Sequence, residues 1–81
     1  MPRLRRLSGD ELVAIFATFG FEVVSQRGTH VKLARTIAPG HRQTITVPRH
    51  KELDTGTLRA ILRQASRFVP EQDLWPHFHS D

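Results

Sequence analysis

The 81-residue chain contains no cysteine. That absence excludes disulfide frameworks, thiolate zinc sites and cysteine nucleophiles together, and it makes a reducing cytosol the natural compartment. No apolar run approaches the roughly 18 residues that a membrane span needs. Although Arg3, Arg5 and Arg6 make a basic start, no signal-peptide hydrophobic stretch follows them. A soluble, unexported, cytoplasmic protein with no membrane contact is expected. There is no internal repeat and no low-complexity segment. A chain of this length forms one small domain spanning 1–81, without room for a cofactor-binding fold plus a substrate domain, and no cofactor is expected.

Acidic residues are also the minority: eight Asp and Glu stand against twelve Lys and Arg, giving a formal net charge of +4. The basic residues are nearly all arginine, whose planar fork suits bidentate phosphate contacts and stacks on bases. Nucleic acid, or an acidic protein that mimics it, is the partner class this balance favours. The plainer reading is a solvated basic surface.

What is present organises into helices and strands. Ser8-Gly9-Asp10-Glu11 has the form of a capping box, and Leu12, Ile15, Phe16 and Phe19 follow at helical spacing. A helix from Ser8 to Phe19, stopped by Gly20, is expected. Phe21 to Gln26 reads as a strand, Arg27-Gly28 as a turn, and His30 to Arg35 as a second strand, the two forming a hairpin. Alternation sends His30, Lys32 and Ala34 to the face opposite Val31 and Leu33. Thr36 to Arg42, containing Pro39-Gly40, is expected as a loop, and Gln43 to Val47 as a third strand ended by Pro48.

After a polar link from Arg49 to Asp54, Gly56-Thr57-Leu58 opens a second helix with Leu58, Ile61, Leu62 and Ala65 as its apolar stripe. Arg59, Arg63 and Arg67 form a basic ridge at four-residue steps, equally readable as a solvated face or a phosphate contact. Val69 to Trp75 adds a short helix with Pro70 near its first turn, and Trp75 is expected to anchor that end on the core. The order α-β-β-β-α implies a two-layer α+β domain: a three-stranded antiparallel sheet with both helices on one face and the other face open to a partner. That is the arrangement of double-stranded RNA-binding domains.

Gly28-Thr29-His30 is the candidate chemical centre, because imidazole both accepts and donates protons at cellular pH. A lone histidine beside a glycine turn is also common with no task at all, and Gly28 has its own explanation in a positive φ.

Several pieces together bear a resemblance. They are Ser8-Gly9-Asp10-Glu11, Gly20-Phe21, Arg27-Gly28-Thr29-His30, Val47-Pro48-Arg49-His50, and the run from Gly56 to Ala65 that reads Gly-Thr-Leu-Arg-Ala-Ile-Leu-Arg-Gln-Ala. In this combination, spread over residues 7 to 75, the chain resembles the HicA (YcfA-like) family, the toxin component of bacterial toxin–antitoxin pairs. The resemblance implies a double-stranded RNA-binding-like fold and an endoribonuclease, an mRNA interferase that cleaves translated messenger RNA without a metal. It implies His30 as the catalytic histidine, with Thr29 standing where a serine is the more frequent residue of the motif. Arg27, Gly28, Thr29 and Lys32 are the expected RNA contacts, Lys32 and Arg27 holding the scissile phosphate. The implied partner is a HicB-like antitoxin covering the His30 surface, with the free toxin a monomer and the complex a hetero-oligomer. An acidic antitoxin would suit the charge of +4.

Two readings of other classes compete with this one. A noncatalytic RNA-binding module would use the same sheet to recognise A-form backbone shape. An interaction-only protein would offer its open sheet face to a partner chain. Of the remaining histidines, His41 is expected exposed in its loop and His50 in a structural or binding role. His77 and His79, on a terminal tail, make a poor metal site, and no metal is expected.

Overall fold

The computed structural model describes residues 3–80, in the order β1 (Arg3–Leu4), α1 (Gly9–Ala17), β2 (Glu22–Arg27), β3 (His30–Ala38), β4 (His41–Pro48), α2 (Thr55–Ala65), α3 (Glu71–Phe78) and β5 (His79–Ser80). The α-β-β-β-α order is realised as an α+β fold. Strands β2-β3-β4 form an antiparallel sheet in sequential order, and β1 pairs with β5 in a separate two-stranded sheet. Helix α1 begins where the capping box requires it: the Glu11 N–H donates to Ser8 Oγ at 3.0 Å, and the Ser8 N–H donates to Glu11 Oε1 at 2.9 Å. Two orphan donors of the first turn are thereby satisfied.

Both long helices lie on one face of the three-stranded sheet. Leu12 and Phe16 from α1 and Leu58, Ile61, Leu62 and Ala65 from α2 share one buried cluster with Val31, Leu33, Ile45 and Val47, the alternate residues of β3 and β4. Arg35 pins the helix layer to that sheet. Its guanidinium donates to Gln43 Oε1 (2.7 Å), the Phe19 carbonyl (2.8 Å) and the Phe68 carbonyl (2.7 Å), and lies 4.8 Å from the Phe21 ring centre. Carbonyls in the turns just past the ends of α1 and α2 are thereby held by one fixed fork.

The start of α1 touches the end of β4 so closely that only glycine fits. The Gly9 N–H donates to the His50 carbonyl at 2.8 Å, and a β-carbon on Gly9 would collide with the Pro48 carbonyl oxygen and lie 2.6 Å from Arg49 Cα. Both neighbours are backbone, so a small side-chain shift cannot relieve the overlap. Gly9→Ala is expected to cost about 1–3 kcal/mol, read as a lower urea midpoint with an unchanged slope.

Helix α2 is capped by Asp54, whose Oδ1 accepts the Thr57 N–H at 2.7 Å. That backbone bond first, then the Thr57 side chain, and more weakly the nearby His50 charge lower the Asp54 pKa below the ordinary carboxylate range against a small desolvation effect. A depressed folded-state pKa means stability present above the unfolded value and lost as pH falls through the folded one. Asp54→Ala should therefore melt below wild type at pH 7, and the gap should close on acidification below about pH 4; a thermal melt series across pH reads it.

Three expectations need correction. Thr36–Arg42 is not an extended loop: β3 runs to Ala38 and β4 begins at His41, with Ala38 paired to His41 and a register irregularity between Thr36 and Ala38. Pro39-Gly40 forms the tight turn itself, Gly40 taking φ +77°. Trp75 does not anchor the core. It is 43% exposed, while Leu74 and Phe78 are fully buried, because α3 continues to Phe78 and four-residue spacing sends those two side chains inward. His77 and His79 are not on a tail either. His77 packs edge-on against Phe19, and His79 begins β5, where it pairs with Leu4.

Candidate functional site

The site is built on a two-residue hairpin. Arg27 and His30 are directly paired across Gly28-Thr29, and Gly28 alone takes a positive φ, +59°. Glycine at the first central position is what a type II′ turn demands, and this turn matches the right-handed twist of its strands. A β-carbon at Gly28 would meet nothing within 4 Å, so the requirement there is conformational rather than steric.

Pairing places the side chains in rows across the open face. His30 lies between Arg27 on β2 and Pro48 on β4, and Lys32 lies between Ser25 and Thr46. Directly paired β-carbons stand about 5 Å apart, and Lys32 follows His30 at roughly 7 Å along the strand. Arg27, His30 and Lys32 are exposed, whereas Val31 and Leu33 between and beyond them are buried at 1%. One imidazole and two cations thus share a solvent-facing patch with hydroxyls from Ser25 and Thr46. Thr29 is exposed at the tip of the hairpin. Ala34, assigned by alternation to this same face, is nonetheless buried, a small side chain flanked by Glu22 and Thr44 in the neighbouring strands.

The hairpin carrying His30 is braced from the helix side by Arg49. Its backbone N–H donates to the Thr29 carbonyl at 2.6 Å, and its guanidinium donates to Asp10 Oδ1 (2.6 Å) and Gln26 Oε1 (2.9 Å). Gln26 in turn donates through Nε2 to the Gly28 carbonyl at 2.9 Å. Arg49–Asp10 is the one ion pair among the described residues, and with both side chains at least half exposed it contributes position more than energy. Arg49 and Gln26 were not singled out from the sequence. The signal available for Arg49 was its place in Val47-Pro48-Arg49-His50, directly after the strand that pairs with His30.

Further along the same face, Glu22, Val24, Ala34, Thr36 and Arg42 line a shallow depression of about 510 Å³ beside Gly20 and Arg35. Val24 reaches it because β2 is bulged between Val23 and Ser25, where pairing with β3 slips by one residue. Among the described residues, no group of three or more His, Asp or Glu side chains comes together as a metal site, and no helix is long and apolar enough to cross a membrane. Arg59 and Arg63 remain exposed on α2, and Arg67, also exposed, lies in the turn past the helix end, so the expected ridge keeps only two of its members on α2; all three are on the helix layer rather than on the face carrying His30.

The family described as HicA toxin of bacterial toxin–antitoxin systems matches residues 9–66, more than two thirds of the chain. The chain belongs to the HicA toxin family. The matched span takes in α1, the complete three-stranded sheet with the Gly28-Thr29-His30 hairpin, and α2, and it stops before α3. Membership makes this HicA-family protein a toxin of a toxin–antitoxin system, with an antitoxin as partner. No curated protein and no solved structure shows a significant match to it.

Proposed function

We propose that this HicA-family toxin is an endoribonuclease that cleaves messenger RNA, with His30 as its general base or acid and without a metal ion. The observation carrying this reading is the placement of His30 between Arg27 and Lys32 on one exposed sheet face. In RNA cleavage the 2′-oxygen loses its proton and bonds to phosphorus, the bond to the 5′-oxygen breaks, and that leaving oxygen gains a proton. His30 exchanges one of these two protons, while Arg27 and Lys32 stabilise the charge that develops on the phosphate oxygens. The Gly28-Thr29 turn leaves the backbone beside His30 open to the approaching strand.

An antitoxin of the HicB type, acidic and placed over this face, would silence the enzyme by covering His30. The net charge of +4 favours such a partner, and Val24 (43% exposed) gives it an apolar foothold beside the charged patch. The free toxin is proposed as a cytoplasmic monomer that becomes a hetero-oligomer with its antitoxin.

The test is incubation of purified wild type and His30→Ala with a defined single-stranded RNA, with chelator present throughout. Chelator-resistant cleavage by the wild type alone supports the proposal. RNA that is retained by the wild type but keeps its full length would turn the reading to a noncatalytic RNA-binding module.

A further inference from the structure

The helix layer carries a second feature, built by residues on the far side of the core from His30. Trp75 and His79 stack face to face, with ring centres 3.6 Å apart and planes inclined by 12°, held by a 3.2 Å contact between His79 Nδ1 and the Trp75 carbonyl. Despite that stack, Trp75 stays 43% exposed. The pair lies on a groove of about 540 Å³ whose remaining lining is Arg3, Leu4, Thr55, Arg59 and Leu62. A second depression, sharing Arg59 and Leu62, extends the groove along α2 past Arg63 to Glu71, the one carboxylate in its lining among the described residues. Arg3, Arg59 and Arg63 make no ion pair among the described residues, and among those residues no carboxylate lines the groove that holds the tryptophan.

A single exposed aromatic needs no cover on its own account; what marks Trp75 is its setting among stacked rings and arginines. Planar rings already aligned in a stack offer a platform for a further planar ring. Flanking arginines supply charge for a backbone phosphate. This combination of aromatic platform and basic groove is how single-stranded nucleic acid is held without sequence preference. An acidic peptide would satisfy the arginines but leave the stacked rings without a matching group.

We infer that the groove between β1, α2 and α3 is a second binding site that takes a single-stranded RNA segment, one base stacking on Trp75 and the adjoining phosphates meeting Arg3 and Arg59. The site is only partly within residues 9–66, the span that places the chain in its family: Thr55, Arg59 and Leu62 fall inside it, whereas Arg3 precedes it and Trp75 and His79 follow it. It deepens the ribonuclease reading by giving the substrate a second hold away from the cleaving face, and it rests on that reading only for the identity of the RNA as substrate.

The chain has one tryptophan and no tyrosine, so its intrinsic emission reports on this groove directly. The experiment titrates full-length His30→Ala protein, which leaves the RNA intact, with an eight-nucleotide oligouridylate and, separately, with hexaglutamate. Quenching of Trp75 emission by the oligouridylate is expected, and the anisotropy of the same oligouridylate carrying a 5′ fluorophore, which also reads the tryptophan-free variants, should show affinity falling about tenfold in Trp75→Ala, consistent with a stacking contribution, and similarly in Arg59→Glu. Trp75→Phe should restore most of the affinity by retaining an aromatic face. Trp75 and Arg59 are both exposed, and the far-ultraviolet spectrum of each variant checks its fold. Unchanged emission of the Trp75-bearing protein, together with an anisotropy-derived RNA affinity that Trp75→Ala leaves unaltered, would overturn the site, as would quenching by hexaglutamate alone, which would assign the groove to an acidic polypeptide. Quenching without any RNA cleavage by the wild type would sink the ribonuclease reading and leave this site standing.

Discussion

Replacing His30 by alanine is expected to slow RNA cleavage by about 10²–10⁴-fold, the usual contribution of a positioned acid or base. Expression of the variant without antitoxin should accordingly fail to arrest growth. The fold should survive, because His30 is exposed and its strand pairing with Arg27 and Pro48 runs through the backbone. Equal growth arrest and equal cleavage by the variant would remove His30 from the chemistry. Lys32→Ala separates charge stabilisation from proton transfer. Lys32 lies on the same face with no acidic partner among the described residues, so its loss should slow cleavage and weaken the salt dependence of RNA binding while leaving the pH profile in place. A pH profile altered by Lys32→Ala would instead mean that the lysine shapes the protonation of the site.

Phe16→Ala should be the most damaging core substitution, costing about 3–5 kcal/mol. Phe16 is completely buried and lies between two other rings, with centre distances of 6.1 Å to Phe21 and 6.0 Å to Phe78. Removing it opens a cavity where α1, the entry to β2 and the end of α3 meet, and none of these can collapse inward without losing the others. A domain of this size has total stability of about 4–12 kcal/mol, so the variant should be partly unfolded at 37 °C. Urea denaturation followed by circular dichroism measures the loss. Val24→Ala, on the open face, is expected within about 0.5 kcal/mol of wild type; a comparable loss there would show that the sheet face is packed rather than open.

Much of this architecture was readable from local rules. The capping box named the start of α1 because Ser8 and Glu11 satisfy each other's backbone N–H groups over a single turn. Strict alternation along His30-Val31-Lys32-Leu33 separated the cationic face from the core because successive strand residues point to opposite sides. The i, i+3, i+4 stripe of α2 was legible for the same reason, its period being that of the helix itself. The misreadings came where local signals run out. Pro39-Gly40 marks a turn in any context, but how far β3 and β4 extend toward it depends on cross-strand pairing. The strands β1 and β5 are two residues each and show no period; they exist because opposite ends of the chain meet, with the Arg5 N–H donating to the Phe78 carbonyl at 2.8 Å.

The candidate site divides along the same line. His30, Lys32 and Arg27 lie within six residues of one another, so a hairpin and its alternation suffice to gather them on one face. Arg49 comes from nineteen positions beyond His30 and Asp10 from twenty before it, so no local pattern connects either to the hairpin they brace. The Trp75–His79 groove is further still from local inference, since a tryptophan near an apolar stripe reads as core until the helix phase is known.

The sequence by itself determined the identities and spacings that short-range geometry converts into structure: the capped helix, the glycine turn, the alternating strand and the basic charge. Only the tertiary structure decided which distant residues support His30, why Gly9 admits no side chain, and that Trp75 faces a basic groove instead of the core. The physical reason is range. Backbone periodicity and turn conformation act over a few residues, whereas burial, close backbone approach and long-range hydrogen bonds exist only once the two ends of the chain have been packed onto one sheet.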